Sequence, residues 1–444
     1  MRGAPYGLRV HRSRLLAAVV RLVADRGYAR TTVSALAALA GVSRSRFYEC
    51  FTDKEACFLA ALKGEQQQLL ADVRRAVLGD PERAPRLAAE TLVAFARCKP
   101  ATARVVFSEA IAAGPAALDA RDDAIDQIAR LVEAAYEALD PDTPAPDVSA
   151  RVLIGGACRL LAARLRDPGQ TIDGVEQGLD AWIDGYEQPL CAHRWRELRP
   201  APLSPPCLAR GSLRLAGAAE AECASPARDD VAAHVRARIV LAVASLAEER
   251  GYAATTIADI ALRAGLSPRA FYRSFAGKQE AFAALHEHHF REIMGVTAGA
   301  FFAQEDWPAR IWAAGQAFTG YLEQHPTLAR TSFIESYAGD PVGLARVAEL
   351  VGAFTLFLQE GYQYRELEAP PTALALDAIA TTIFELNYRY TRAGRVRELA
   401  MLMPHIAFIS LAPFLGPEDT NGFLDVQIGR DRGRVLAEPL APPA

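Results

Sequence analysis

Cysteine is scarce and poorly placed for either of its structural uses. Of 444 residues only seven are cysteine, all at or before Cys223, and none stands in a CxxC pair. An odd, scattered set excludes a disulfide framework and a zinc ribbon and points to a reducing compartment. Long apolar runs are missing too: the longest, Ala400 to Leu415, is broken by Pro404, His405 and Pro413 and falls short of a bilayer span. The N-terminus offers no signal core, because arginines recur from Arg2 through Arg14. Neither a phosphate-cradling glycine loop nor a GxSxG elbow occurs. His286-Glu287-His288-His289 has no identifiable third metal ligand, and Cys191-Ala192-His193 has no orienting third group. No metal, cofactor, membrane partner or enzymatic activity is therefore expected, and the chain reads as soluble and cytoplasmic.

What is present is an ordinary globular composition, 51% hydrophobic and 23% charged, long enough for two to four domains. Charge is unevenly spread. Residues 1–54 hold ten basic side chains against three acidic, a net +7, and residues 228–278 hold eight against five, a net +3. Since the chain totals −4, the remainder is −14. Two basic islands in an acidic body suit a polyanion, although solvated helix faces produce the same pattern.

The islands are copies of one another at an offset of 224 residues. Arg26-Gly27-Tyr28-Ala29 recurs as Arg250-Gly251-Tyr252-Ala253, and Thr31-Thr32 as Thr255-Thr256. Ala40-Gly41, Ser43, Phe47-Tyr48, Phe51 and Lys54 meet Ala264-Gly265, Ser267, Phe271-Tyr272, Phe275 and Lys278 without a gap. Such an offset means two whole modules, since solenoid repeats are about 20–50 residues long. Between them Leu198 to Asp230 is rich in proline and small residues and offers no apolar face, the mark of a linker. The tail after Gly416 has a similar texture. Elsewhere apolar residues recur at roughly 3.6-residue spacing without strand alternation, so the fold class is all-α.

Each copy opens as a helix-turn-helix. Leu15, Leu16, Val19, Leu22 and Val23 line one face of a first helix that stops near Gly27. Thr32 caps a second, Val33 to Ala40. Gly41 supplies the positive φ of the turn, Val42 plugs the core, and Ser43 caps a third helix that buries Phe47 and exposes Arg44, Ser45 and Arg46. Thr52-Asp53-Lys54-Glu55 has capping-box spacing and opens a longer helix. In the second copy Ser267-Pro268 places proline at a first helical position, and Arg269 stands exposed.

These residues resemble the DNA-binding domain of the TetR family of bacterial transcriptional regulators, whose pattern T-T-x-x-x-I-A-x-x-A-G-v-S-x-x-x-x-Y-x-x-F-x-x-K-E is met closely twice over about 50 residues. The resemblance implies six domains: readers at 1–54 and 231–278, helical ligand-binding and dimerisation bodies at 55–197 and 279–416, a linker at 198–230, and a flexible tail at 417–444. It implies that Arg44 and Arg46, with Arg269, read base edges, and that Thr32, Thr256, Tyr48, Tyr272, Lys54 and Lys278 contact phosphates, with Ser43, Ser45 and Ser267 beside them. Two readings stay open for the tyrosines, which can equally pack their rings, and the threonines are caps in any case. Arg12, Arg14, Arg236 and Arg238 read as solvated or diffuse phosphate contacts. Departures weaken the second copy: Gly277 replaces an acidic cap, Gln279 intervenes before Glu280, and one exposed arginine stands where the first copy has two.

Family members pair through their last two helices. Here the candidates are Val148 to Arg166 with Ile172 to Tyr186, and Thr372 to Arg392 with Val396 to Leu415. Gly155-Gly156-Ala157 and Ala380-Thr381-Thr382 permit close approach. The implied function is a sequence-specific regulator, a repressor released by a small hydrophobic or planar effector. Two readers in one chain would form a pseudo-dimer on an asymmetric double-stranded operator, with a homodimer of tandem chains as the competing architecture. The aromatic-rich second body is the better place for an effector, although core packing predicts the same sequence. The alternative function is a small-molecule-binding or scaffold protein whose helix-turn-helix modules, one or both, no longer bind DNA.

Overall fold

The computed structural model describes residues 4–139, 148–167, 169–186, 198–199, 228–334, 341–364, 371–430 and 435–436. Most of the linker, Cys191 to His193, Tyr337 and the last residues of the tail lie outside the described residues. Apart from a two-residue antiparallel pair, Leu198–Arg199 with Val435–Leu436, the described residues are helical or connect helices.

The first reader comprises α1 (Ala4–Arg26), α2 (Val33–Ala40) and α3 (Arg44–Cys50), and leads into α4 (Lys54–Gly79). The first body follows with α5 (Ala84–Cys98), α6 (Pro100–Ala103), a π-helical turn at Arg104–Glu109, α7 (Ala110–Ala112), α8 (Pro115–Leu139), α9 (Ala150–Arg166) and α10 (Val175–Asp184). The second reader repeats the plan with α11 (Arg228–Ala254), α12 (Ile257–Arg263) and α13 (Pro268–Ser274), leading into α14 (Lys278–Phe302). Its body contains α15 (Trp307–Gln324), α16 (Pro326–Phe333), α17 (Pro341–Gln359), α18 (Gly361–Tyr364), α19 (Ala373–Arg392) and α20 (Met403–Leu415), followed by α21 (Pro417–Arg430).

Two expectations need correction. The start of the tail is not loosely draped: α21 buries Thr420, Asn421, Leu424 and Ile428, and Phe423 sets its ring 6.5 Å from Trp312. Spacings of three and four residues place Leu424 and Ile428 on one helical stripe, a short signal hidden among polar neighbours. The apolar run is also longer than Ala400 to Leu415 suggests. Val396–Leu415 is helical for 20 residues and long and apolar enough to cross a membrane by composition. It serves as core instead, with Leu399, Leu402, Met403 and Ile406 through Ala412 all buried in the protein.

The two bodies meet along α9 and α19, which run antiparallel. Arg164 pairs with Asp377 at 2.7 Å toward one end, while Gly155 and Gly156 face Glu385 and Thr382 at the middle. A Cβ on Gly156 would lie 1.9 Å from the Thr382 hydroxyl, and Thr381 Oγ1 approaches the Gly156 carbonyl at 3.4 Å. Close backbone approach is what the Gly-Gly pair permits. On the flank, Tyr186 accepts from Trp182 Nε1 at 3.0 Å and donates to the Ile409 carbonyl of α20 at 2.8 Å. One hydrophobic core runs from the first reader through both bodies, and the second reader has a core of its own.

Candidate nucleic-acid interface

The first reader is assembled by short-range polar contacts around a buried ring. Thr32 Oγ1 accepts from the Ala35 N–H and Ser43 Oγ from the Arg46 N–H, each at 3.2 Å, so both act as N-caps. Gly41 takes φ 63°, the left-handed turn that a side chain would strain. Phe47 is fully buried and forces the rest of α3 outward, so Arg44, Ser45 and Arg46 are exposed. Tyr48 is 51% exposed, its ring edge-on to Phe47 at 5.4 Å. That arrangement leaves its hydroxyl end toward solvent rather than in the core. Arg46 is ion-paired with Glu49 one turn along.

Lys54 is placed differently. Its ammonium donates to the Tyr28 carbonyl at 3.0 Å and sits 4.1 Å over the Tyr28 ring, and burial lowers its pKa. It therefore clamps the loop between α1 and α2. The helix it opens is capped by Asp53, which accepts from the Ala56 N–H at 2.7 Å, rather than by Thr52. The carboxylate is the stronger acceptor, and Thr52 donates to it at 3.4 Å.

The second reader has the same frame and a different surface. Thr256 and Asp259 form a complete capping box, and Ser267 Oγ accepts from the Ala270 N–H at 3.2 Å. Gly265 repeats φ 63°. Arg269 is exposed and Tyr272 is 58% exposed. Arg273, which sequence reading passed over, is exposed on the same short helix, at the position where the first copy carries Glu49. Gly277 gives no side-chain cap before Lys278, so Glu280 reaches back to accept from the Ala276 N–H at 2.6 Å.

Arg12 and Arg236 are not simply solvated but brace the ends of α3 and α13. Arg12 donates to the Cys50 carbonyl at 3.1 Å and stacks 4.4 Å over Phe51. Arg236 repeats this at Ser274, 2.8 Å, and over Phe275, 4.0 Å. The signal was their preservation at the 224-residue offset together with their targets' positions, but the contacts span 38 residues and no local pattern reveals them.

Each reader joins its body by different chemistry. In the first, Glu109 at the end of the π-helical turn accepts from the Tyr28 N–H at 2.9 Å. In the second, α11 meets a histidine-lined crevice formed by His286, His289, His325 and Thr327. His289 lies 3.3 Å from the Tyr321 hydroxyl, which donates to Glu292 at 2.7 Å. Burial, reinforced by His325, His288 and His286, pushes the His289 pKa down to about 3. Next to this crevice a small cavity of about 30 Å³ is lined by Phe290, Ile293, Phe318, Leu322, Phe333, Val347 and Leu350, with His286 and Leu328 shared between the two. Most other aromatics of this body are packing residues: Trp307 lies 4.9 Å from Phe414, and Phe301 4.8 Å from Phe357. Burial also pushes the Cys57 thiol up to about 12, which leaves little thiolate for redox sensing.

A family signature described as bacterial regulatory proteins, tetR family, matches residues 15–61 and 239–285. The chain is 28% identical over 120 residues to the HTH-type transcriptional activator FasR of Mycolicibacterium smegmatis, a match that takes in 27% of this chain and 55% of that protein. It thus spans about half the length of this curated relative. Two solved structures align over single-module lengths. The fatty acid degradation regulator FadR of Bacillus halodurans is 15% identical over 40% of this chain and 99% of its own, with a TM-score of 0.35. FadR of Bacillus subtilis, solved with stearoyl-CoA, is 14% identical over 39% of this chain and 97% of its own, with a TM-score of 0.36. The twin signature falls on the two helix-turn-helix units just described, so the chain carries two TetR-like modules in tandem.

Proposed function

We propose that the chain is a sequence-specific DNA-binding transcriptional regulator in which one polypeptide supplies both readers. The observation that carries this is the pair of short, serine-capped helices, α3 and α13, each with arginines and a tyrosine exposed over a fully buried phenylalanine. A helix of this kind places guanidinium groups at guanine edges, each good bidentate contact being worth about 1–3 kcal/mol of discrimination. Arg44 and Arg46 are the base readers of the first half-site, and Arg269 with Arg273 those of the second. Thr32, Thr256, Tyr48, Tyr272 and Lys278 hold phosphates, and Lys54 supports the frame beside them.

The packing of α9 on α19 supports a pseudo-dimer within one chain, and the unlike surfaces of α3 and α13 support an asymmetric operator. The cavity between α14, α15, α16 and α17 is the effector site, with an apolar lining that suits a hydrophobic molecule. On this reading the effector shifts the spacing of the readers and releases a repressor. Activation is the second reading, favoured by the name of the curated relative.

Selection of bound sequences from random duplex DNA at two salt concentrations tests the proposal. Two unlike half-sites are expected, and Arg44→Ala with Arg46→Ala should erase preference for one of them. A true palindrome would point to pairing of two chains. Salt-sensitive binding with no enrichment would favour a scaffold or small-molecule binder that no longer reads DNA.

A further inference from the structure

The α9–α19 face buries an ionic cluster centred on one second-module carboxylate held by first-module guanidinium groups. Around it Asp122 and Asp126 of the first module pair with Arg151 and with Arg389 and Arg392 of α19. Glu385 of α19 is fully buried and accepts from Arg121 at 2.8 Å and from Arg159 at 2.7 Å, with Arg151 at 3.4 Å. All three guanidinium groups belong to the first module and are themselves nearly inaccessible. Burial alone would raise the Glu385 pKa, yet these arginines hold its carboxyl below the usual carboxylate range. The α9 sequence contains four arginines and no acid, whereas α19 supplies Asp377 and Glu385 beside Arg389 and Arg392.

Volume is divided in the same one-sided way. The first module brings glycines and the second brings the side chains that fill the space above them: Thr382 over Gly156, the Glu385 methylenes over Gly155, and Leu374 over Gly178 of α10. No glycine occurs in α19.

We infer that this face is coded to accept only the unlike module, so that neither half of the chain pairs with a second copy of itself. A pair of α9 helices would bring Arg151 and Arg159 of both copies together with no incoming carboxylate to replace Glu385. A pair of α19 helices would bury Glu385 without Arg121, Arg151 and Arg159, and would press Thr382 onto a helix that has no glycine to receive it. An unpaired buried charge is far costlier than a paired one, so both mismatches are rejected by charge and by shape. The consequence is that readers are always brought to DNA as one of each kind. The inference starts from the module packing and does not require that either reader binds DNA.

The test keeps the full chain. A specific protease site is placed within residues 200–227, the purified protein is cleaved, and light-isotope and heavy-isotope preparations are mixed and followed by native mass spectrometry. Complexes containing one first half and one second half are expected, with isotopes exchanging only between unlike halves. Appearance of paired first halves or paired second halves would overturn the inference. Glu385→Arg should weaken retention of the two halves by about 100-fold or more. Adding Arg159→Glu to the same chain should restore part of it. Unchanged retention in Glu385→Arg would overturn the charge code. Should that variant fail to fold by circular dichroism, the wild-type exchange decides alone. Selective pairing without enrichment of any DNA sequence would sink the proposed function while leaving this inference standing.

Discussion

The two readers share a frame and differ in how they are rooted. In the first, Leu15, Val19, Phe47 and Phe58 belong to the same unbroken core as the first body and the contact between bodies. In the second, Ile239, Val243, Phe271 and Phe275 form a separate cluster closed by Ala281, Phe282 and Leu285 of α14. A duplicated sequence thus yields one reader fused to its body and one that is a small unit of its own. Local stability follows the extent of a cooperative core, so the copies should open at different free energies despite their likeness.

Cutting each core at the same position tests this with the largest expected effect. Phe47→Ala and Phe271→Ala should each cost about 3–5 kcal/mol. In hydrogen exchange, loss of protection in Phe271→Ala should stay within α11 to α13. In Phe47→Ala it should spread into α8 and α9. Equal spread from both variants would erase the distinction.

A titration separates the copies next. His289 has no counterpart in the first module, where the 224-residue offset finds Glu65. Its folded pKa of about 3 lies below the ordinary histidine value of 6.5. The unfolded chain therefore takes up a proton below pH 6.5 that the folded chain refuses. The contribution is complete above that pH and is lost as pH falls toward 3, by about 1.4 kcal/mol per pH unit. Denaturant melts of the second module's signals between pH 7 and pH 4 should show this slope. His289→Phe should flatten it, and an unchanged slope would remove His289 from the account.

On DNA, Arg269→Ala and Arg273→Ala should each cost about 1–3 kcal/mol at the second half-site and leave the first half-site's preference intact. Footprinting on the selected operator measures both. The smallest effect belongs to the caps. Thr256→Ala should cost about 1 kcal/mol and Thr32→Ala slightly less, because only Thr256 sits in a reciprocal box. Thermal melts give the order, and a larger loss for Thr32→Ala would reverse the argument.

What was legible in the sequence was local. Thr32, Ser43, Thr256 and Ser267 announce themselves because a cap and its target lie three residues apart. The bounds of α2 and α3 follow from those caps and from Gly41. Adjacent acceptors blur the reading, as Thr52 and Asp53 show. Long-range partners leave no trace in a single chain: Glu109 reaches Tyr28 across 81 residues, and Glu385 reaches Arg121 across 264. The Gly-Gly pair of α9 is legible as a place of close approach, while the arginines on either side look like solvent-facing charge until Glu385 is found. Phe318 and Phe333 line the cavity and Trp307 fills the core, a difference that composition does not express.

The π-helical turn connects two of these long-range contacts. Arg166, the last residue of α9, donates to Ser108 Oγ at 2.7 Å and to the Ser108 carbonyl at 3.1 Å, and the next residue, Glu109, holds the Tyr28 N–H. Sliding α9 along α19 therefore drags a short, polar, nearly inextensible link whose far end is the loop that opens α2. In mechanical terms the first reader is geared to the seam between the modules. The second reader has the histidine-lined crevice at the corresponding place, where Ala244 of α11 faces His286 and His289 of α14.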